Sequence, residues 1–143
     1  MRLLLDVNVL VALMDEAHIH HAVAQNLVVQ PKLKIATCAL TENGVLRVLN
    51  LPSYSTYGPA GFELVSTQLA QLCGDTDHEF WPCDVTLRDE SKIDWSRVMG
   101  HNQITDVYLL ALAAKHGGAL ATLDHRVALS AVQGAQARHL QLL

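Results

Sequence analysis

Short apolar runs alternate with longer helical segments along the chain, and this alternation constrains the fold more than any other feature of the sequence. Strands that alternate with helices favour a parallel sheet whose two faces are covered by helices. The predicted strands are 2–5, 34–37, 80–81, 119–123 and 138–142, and the predicted helices are 9–14, 20–29, 39–49, 62–72, 96–99 and 104–116. The sequence therefore predicts one α/β domain over residues 1–143, with a central parallel sheet of about five strands.

Composition narrows the class of protein. Half of the 143 residues are hydrophobic and the net charge is −4, which argues against a protein that coats nucleic acid through bulk positive charge. An enzyme that holds phosphates through metal ions stays possible, because the cation supplies the missing charge. No apolar run approaches the roughly 20 residues of a membrane span, and Asp6 and Asn8 interrupt the apolar N-terminus. A cytoplasmic location without a membrane partner is expected.

Cysteine and histidine spacing gives no sign of a soft-metal site. The cysteines are Cys38, Cys73 and Cys83. They are odd in number and form no CxxC pair, so neither a disulfide framework nor a zinc knuckle is expected. His18, His20 and His21 are close in sequence, but no cysteine or further histidine follows in register for zinc. A surface helix start is the favoured interpretation of this histidine cluster.

Four acids fall where an open parallel sheet binds its ligands. Asp6 ends the first predicted strand and Asp124 ends the fourth, while Glu42 and Asp106 lie near helix starts. Ligands bind outside the carboxyl ends of parallel strands, so these acids can meet at one edge of the sheet. Capping and the helix macrodipole explain Glu42 and Asp106 equally well when each is taken alone. Asp6 follows three leucines, and a buried carboxylate needs a partner.

A divalent cation is the partner that this chemistry favours. Carboxylates packed together repel one another, and without a cation some of them take up protons. Carboxylate and water oxygens suit Mg²⁺, with Mn²⁺ as a substitute, whereas zinc prefers histidine and cysteine. Mg²⁺ accepts one or two protein carboxylates and keeps room for a substrate phosphate. The four acids therefore predict a Mg²⁺ site that acts on phosphate esters.

Several motifs resemble those of the PIN-domain nucleases, and within them of the VapC-type toxins of toxin–antitoxin pairs. The resemblance covers nearly the whole chain, from LLLDVNVLVAL through LTENGVLRVL to NQITDVYLLALAAKHGGALATLDHRV. The stretch from Gln103 to Asp124 is the most specific, because a helix, a Gly-Gly break, a strand and both acids occur there in family order. The FWPCD segment is a weaker match.

The resemblance implies a three-layer α/β/α fold and an endoribonuclease. It further implies a homodimer and a cognate antitoxin whose tail enters the active-site groove. On this interpretation Asp6 and Asp106 ligate Mg²⁺, Glu42 and Asp124 complete the acidic shell, and metal-activated water leaves 5′-phosphate and 3′-hydroxyl ends. The two side chains expected to orient the ligands are Asn8 and Thr105.

Two other functions remain open from the sequence. A Mg²⁺-dependent small-molecule phosphatase also needs acids at strand ends, but the haloacid-dehalogenase type has a second Asp where this chain has Asn8. A non-catalytic RNA- or protein-binding module is disfavoured by the complete acidic set. The sequence singles out no RNA-binding residue, and it leaves open the RNA target, the number of ions and the identity of the antitoxin. The basic candidates for phosphate contacts are Arg47, Lys92, Arg97, Lys115 and Arg126.

Overall fold

The computed structural model describes residues 1–143 as a five-stranded parallel sheet with five α-helices. The strands are β1 Leu3–Leu5, β2 Lys34–Cys38, β3 Asp77–Trp81, β4 Ala119–Thr122 and β5 Leu140–Leu142. The helices are α1 Val7–Met14, α2 His21–Val28, α3 Ala39–Leu49, α4 Phe62–Asp75 and α5 Ile104–Lys115. Short 3₁₀ turns cover Trp95–Arg97, His101–Gln103, Leu129–Ala131 and Ala137–His139.

The strand order creates a crevice at the carboxyl edge of the sheet. The order is β3-β2-β1-β4-β5 and every pairing is parallel. The chain builds outwards from β1 to β3 on one side, then crosses to β4 and β5 on the other side. Strand order therefore reverses between β1 and β4, where Leu5 pairs with Ala121. In open α/β sheets this switch point is the usual ligand site.

Alternation along the strands divides the core into two layers. Leu3 and Leu5 of β1 pack towards α1, α2, α3 and α4, whereas Leu4 packs towards α5. Successive side chains of a strand point to opposite faces of the sheet, so a fully apolar strand indicates cover on both sides. The predicted three-layer α/β/α fold is confirmed.

Helix α5 is apolar around its whole circumference because it is covered on all sides. Residues Val107–Ala113 are buried between the sheet and the loops that follow β3 and β4. Gly117 lies two residues after the last residue of the helix and has a φ of 68°, in the left-handed region. The N–H of Gly118 donates to the carbonyl of Ala113 at 2.9 Å, which closes the last turn. The predicted helix and its glycine stop are both observed.

Two elements differ from the sequence prediction. Strand β3 begins at Asp77 rather than at Phe80, because its first residues lie at the sheet edge and are polar, so they lack an apolar signal. The helix predicted at 96–99 is a 3₁₀ turn one residue earlier, which Asp94 caps by accepting a hydrogen bond from the N–H of Ser96. No helix combines the length and the apolarity that a membrane span requires.

Candidate active site

Asp6 lies buried at the switch point, with only 4% of its surface exposed. It caps α1, and its Oδ1 accepts a hydrogen bond from the N–H of Val7 at 2.7 Å. Its Oδ2 accepts one from the hydroxyl of Thr122 at 2.6 Å. Burial nevertheless raises the pKa of Asp6, and the charge of Asp124 adds to the rise. No nearby positive charge compensates the buried carboxylate.

Asp106 lies in the first turn of α5 and is half-buried. Its pKa is raised to about 6, first by burial and then by the charges of Asp6 and Asp124. Arg126 lowers this pKa only in part. Neither Asp6 nor Asp106 forms an ion pair with a basic side chain. Three of the four predicted acids therefore come together at one edge of the sheet.

Asp124 differs from the other two acids because it has a cationic partner. The guanidinium of Arg126 donates to both carboxylate oxygens of Asp124, at 3.0 and 3.1 Å. This contact lowers the pKa of Asp124. The Arg126 side chain is 76% exposed, so water weakens the pair. Arg126 is held beside the acids without neutralising Asp6.

Glu42 stands apart from the three clustered acids. Its Oε1 accepts a hydrogen bond from the hydroxyl of Thr37 at 2.7 Å, and that hydroxyl also lies 2.8 Å from Nε2 of His78. The neighbouring Asn43 and Gly44 of α3, and not Glu42, line the cleft that contains Asp6. The role of Glu42 in the acidic shell stays a prediction.

The two residues predicted to orient the ligands, Asn8 and Thr105, both line the cleft but differ in their contacts. Asn8 accepts from the N–H of Leu123 and donates to the hydroxyl of Thr122, each at 3.1 Å. It therefore connects α1 to the end of β4. Thr105 is exposed and lines the same cleft as Asp6 and Asp106.

Thr122 is a positioning residue that the sequence reasoning did not single out. It is fully buried, and its hydroxyl donates to Asp6 while it accepts from Asn8 and from the N–H of Asp124, the latter at 3.0 Å. One hydroxyl thus ties two of the acids together. A signal was present, because a threonine that ends an apolar strand two residues before an acid needs partners for its hydroxyl.

The donor set fits a hard cation. No group of three or more acidic, histidine or cysteine side chains converges closely enough to hold a metal by itself. Mg²⁺ needs only one or two protein carboxylates, because waters and substrate phosphates complete its shell. Asp6 and Asp106 supply carboxylate oxygens, and their raised pKa values indicate a place that favours added positive charge.

Two clefts share Asp106 in their lining. One, of about 530 Å³, contains Asp6, Asn8 and Thr105. A smaller cleft of about 190 Å³, also lined by Asp106, contains Asp124 and Arg126. The clustered acids therefore border both clefts.

Known proteins match the chain over its length. Residues 3–134 match the PIN domain family. The chain is 43% identical to Ribonuclease VapC44 of Mycobacterium tuberculosis over 144 aligned residues, which cover 100% of both proteins. It is 41% identical to Ribonuclease VapC39 of the same organism over 137 residues, which cover 94% of the chain and 96% of that relative.

Two crystal structures share the fold at low sequence identity. One is VapC20 of M. tuberculosis, described as a toxin that cleaves the sarcin–ricin loop. It aligns with a TM-score of 0.60 and 14% sequence identity, over 91% of this chain and 95% of that one. The other is VapBC2 of Rickettsia felis bound to a promoter DNA fragment, with a TM-score of 0.55, 15% identity and coverage of 88% and 90%. At such identities the similarity shows the fold alone.

Proposed function

The chain belongs to the PIN-domain family and, within it, to the VapC ribonucleases, and from this premise we propose that it is a metal-dependent endoribonuclease, the toxin of a toxin–antitoxin pair. The observation that carries the proposal is the meeting of Asp6, Asp106 and Asp124 at the switch point of the sheet. The raised pKa of Asp106 supports it, because such a carboxyl is stabilised by a cation. No observation favours a small-molecule phosphatase.

Asp6 and Asp106 would hold Mg²⁺, or Mn²⁺ in its place. When bound, the ion supplies a Lewis acid for the phosphate and lowers the pKa of water. The chain contributes the geometry: the Val7 N–H and the Thr122 hydroxyl fix the two oxygens of Asp6. Asn8 in turn fixes the Thr122 hydroxyl.

The proposed reaction is hydrolysis of an RNA phosphodiester. The oxygen of a water molecule bonds to phosphorus, the bond from phosphorus to the 3′ oxygen breaks, and that oxygen leaves with a proton. The products are a 5′-phosphate and a 3′-hydroxyl. Asp124 and Glu42 are proposed to complete the acidic surroundings, although Glu42 is bound to Thr37 in the structure and would have to turn towards the cleft.

The partners follow from the family. We propose RNA as the substrate and a cognate antitoxin as the inhibitor, supported by relatives named as ribonucleases and by a VapBC structure with the same fold. A homodimer in the cytoplasm is also proposed. Exposed apolar side chains at the start of α4, Phe62 at 73% and Leu64 at 53%, offer surface for a protein partner.

The test of this function is an RNA cleavage assay on the purified protein with Mg²⁺. The wild type is expected to cleave RNA and to leave p-nitrophenyl phosphate intact, and EDTA is expected to stop cleavage. Asp106→Asn is expected to lower the rate by at least about a hundredfold, because it removes a charge that the cation needs. End-labelling of the products reads out the 5′-phosphate.

The matched control is Asp75→Asn, which makes the same change at the exposed end of α4. It is expected to cleave at the wild-type rate. Cleavage that persists in EDTA would remove the metal from the proposal. A folded Asp106→Asn protein with full activity would remove Asp106 from the site.

A further inference from the structure

The cleft beside the acids continues away from them along α1 and α3, and we name this part the α1–α3 cleft. It is lined by Asn8 and Val11 on α1, by Asn43 and Arg47 on α3, and by His18 after α1. Only Asp6 and Asp106, both at the acid end, bring negative charge to its lining. Apolar side chains form part of the remaining lining, and its polar groups include amide, imidazole and guanidinium groups, which donate hydrogen bonds to anions.

Arg47 is the one lysine or arginine among the residues that line this cleft. Its side chain is exposed and forms no ion pair within the chain. Three other basic candidates from the sequence are already bound to acids, namely Arg97 to Asp94, Lys115 to Asp84 and Arg126 to Asp124. The guanidinium of Arg47 is therefore free to bind a phosphate with two parallel hydrogen bonds.

His18 offers a second donor to the same cleft. The backbone N–H of His20 donates to Nδ1 of His18 at 3.0 Å. Because Nδ1 is the acceptor in this contact, the ring proton lies on Nε2. Nε2 makes no hydrogen bond inside the chain and can donate to an anion in the cleft.

The distance from the acids to Arg47 is on the scale of a few nucleotides. Helix α3 starts at the carboxyl edge of the sheet, where the acids lie, and Arg47 is eight residues, or about 12 Å, along it. Adjacent phosphates of one strand in a duplex lie roughly 3.4 Å apart along its axis, and more in an extended strand. Arg47 is thus placed a few nucleotides beyond a phosphate held near the acids.

We propose that Arg47 and His18 form a phosphate-binding subsite for single-stranded RNA, adjacent to the scissile phosphate. The proposal rests on the ribonuclease function above and names where the flanking strand runs. The proposal specifies single-stranded rather than double-stranded RNA, because a cleft between two helices has room for one flexible backbone. Arg47 also lies in the last turn of α3, where a cation stabilises the helix, so the test needs a readout other than stability.

Binding is measured in the Asp106→Asn protein, so that the RNA stays intact. The probe is a fluorescently labelled, randomised single-stranded RNA of about twenty nucleotides, and the readout is anisotropy over a range of salt concentrations. Arg47→Gln is expected to raise Kd about tenfold and to make the slope of log affinity against log salt shallower by about 0.7. His18→Gln is expected to raise Kd about threefold. Arg47→Lys keeps the charge but loses the two parallel hydrogen bonds of the guanidinium, so it is expected to raise Kd by less than Arg47→Gln.

The matched control is Arg88→Gln, which changes net charge equally at an exposed arginine outside the cleft. Its Kd is expected to stay within twofold of the parent. Equal effects of Arg47→Gln and Arg88→Gln, or none from Arg47→Gln and His18→Gln, would overturn the subsite. Those results leave the ribonuclease function intact if the wild type cleaves RNA, whereas a wild type without nuclease activity contradicts the function itself.

Discussion

Thr122 shows how one buried hydroxyl can organise a site made mostly of acids. It donates to Asp6 and accepts from two N–H groups, those of the Asn8 amide and the Asp124 backbone. All of its hydrogen-bonding capacity is used, and the Asp6 carboxylate cannot turn without breaking a contact. If Asp6 holds the metal as proposed, Thr122 is expected to affect activity nearly as strongly as Asp6 itself.

Replacing Thr122 with valine keeps the shape of the side chain and removes the hydroxyl. Cleavage of RNA is expected to fall about 10- to 100-fold, mainly in kcat, because Asp6 loses one of its two fixed contacts. Thr122→Ser is expected to recover most of the rate. Steady-state kinetics provides the measurement, with Thr67→Val on the exposed side of α4 as the control. Activity of Thr122→Val within twofold of wild type would show that Asp6 needs no such support.

The sequence predicted the positions of Asp6, Asp106 and Asp124 well, because strand ends and first helical turns are fixed by the backbone. It predicted Glu42 less well. Neighbouring helical residues point about 100° apart, so a shift of one position decides whether Glu42 or Asn43 faces the cleft. That choice depends on tertiary contacts, here the Thr37 hydroxyl that holds Glu42.

At the scale of elements, the sequence predicted the strands and helices with strong apolar patterns, such as β1, β4 and α5. It predicted β3 only in part. This strand lies at the edge of the sheet, and its first residues are polar, so they show no alternation of apolar and polar side chains. Arg2 stabilises this strand instead, with hydrogen bonds to the Ile35 carbonyl and to the Asp77 carboxylate. Such long-range contacts cannot be predicted from a local pattern.

The junction between α5 and β4 gives a test at this scale. A Cβ at Gly118 would lie 2.5 Å from the Arg2 carbonyl oxygen and 2.6 Å from the Trp81 ring. Gly118→Ala is therefore expected to lower the free energy of unfolding by about 1–3 kcal/mol, measured by urea denaturation.

Gly74→Ala in α4 is the control, because a Cβ there meets nothing within 4 Å. It is expected to leave stability unchanged or to raise it by up to about 1 kcal/mol, since alanine is the better helix former. If both variants were equally stable, the junction would be looser than its geometry indicates.

At the scale of the whole molecule, the net charge and the local charge at the site are both negative. A chain with a net charge of −4 collects three of its acids at one edge of the sheet, while Asp6 and Asp106 have no basic partner. The fold tolerates this repulsion because the rest of the core is apolar and continuous on both faces of the sheet. The clustered acids thus destabilise the folded state, and such perturbed carboxyl groups are common at functional sites.

The pH dependence of stability follows from this repulsion. The pKa of Asp106 is raised from 3.8 to about 6, so its protonated form stabilises the folded state below pH 3.8, and that contribution is lost as pH rises through about 6. Other acids with lowered pKa values act in the opposite direction, and comparison with Asp106→Asn removes them. Without metal, the melting temperature of Asp106→Asn is expected to exceed that of the wild type by more at pH 7.5 than at pH 4.5.

At pH 7.5 the free energy of unfolding of Asp106→Asn is expected to exceed that of the wild type by about 1–2 kcal/mol, allowing for solvent screening of a half-buried carboxylate. Excess Mg²⁺ is expected to raise the melting temperature of the wild type at pH 7.5 by a few degrees and that of Asp106→Asn by less, because a ligand stabilises only the state that binds it. Scanning calorimetry with and without Mg²⁺ measures both effects. A wild type that Mg²⁺ leaves unchanged would contradict the metal site, and a variant whose advantage shrinks as pH rises would mean that the clustered acids do not repel one another in solution.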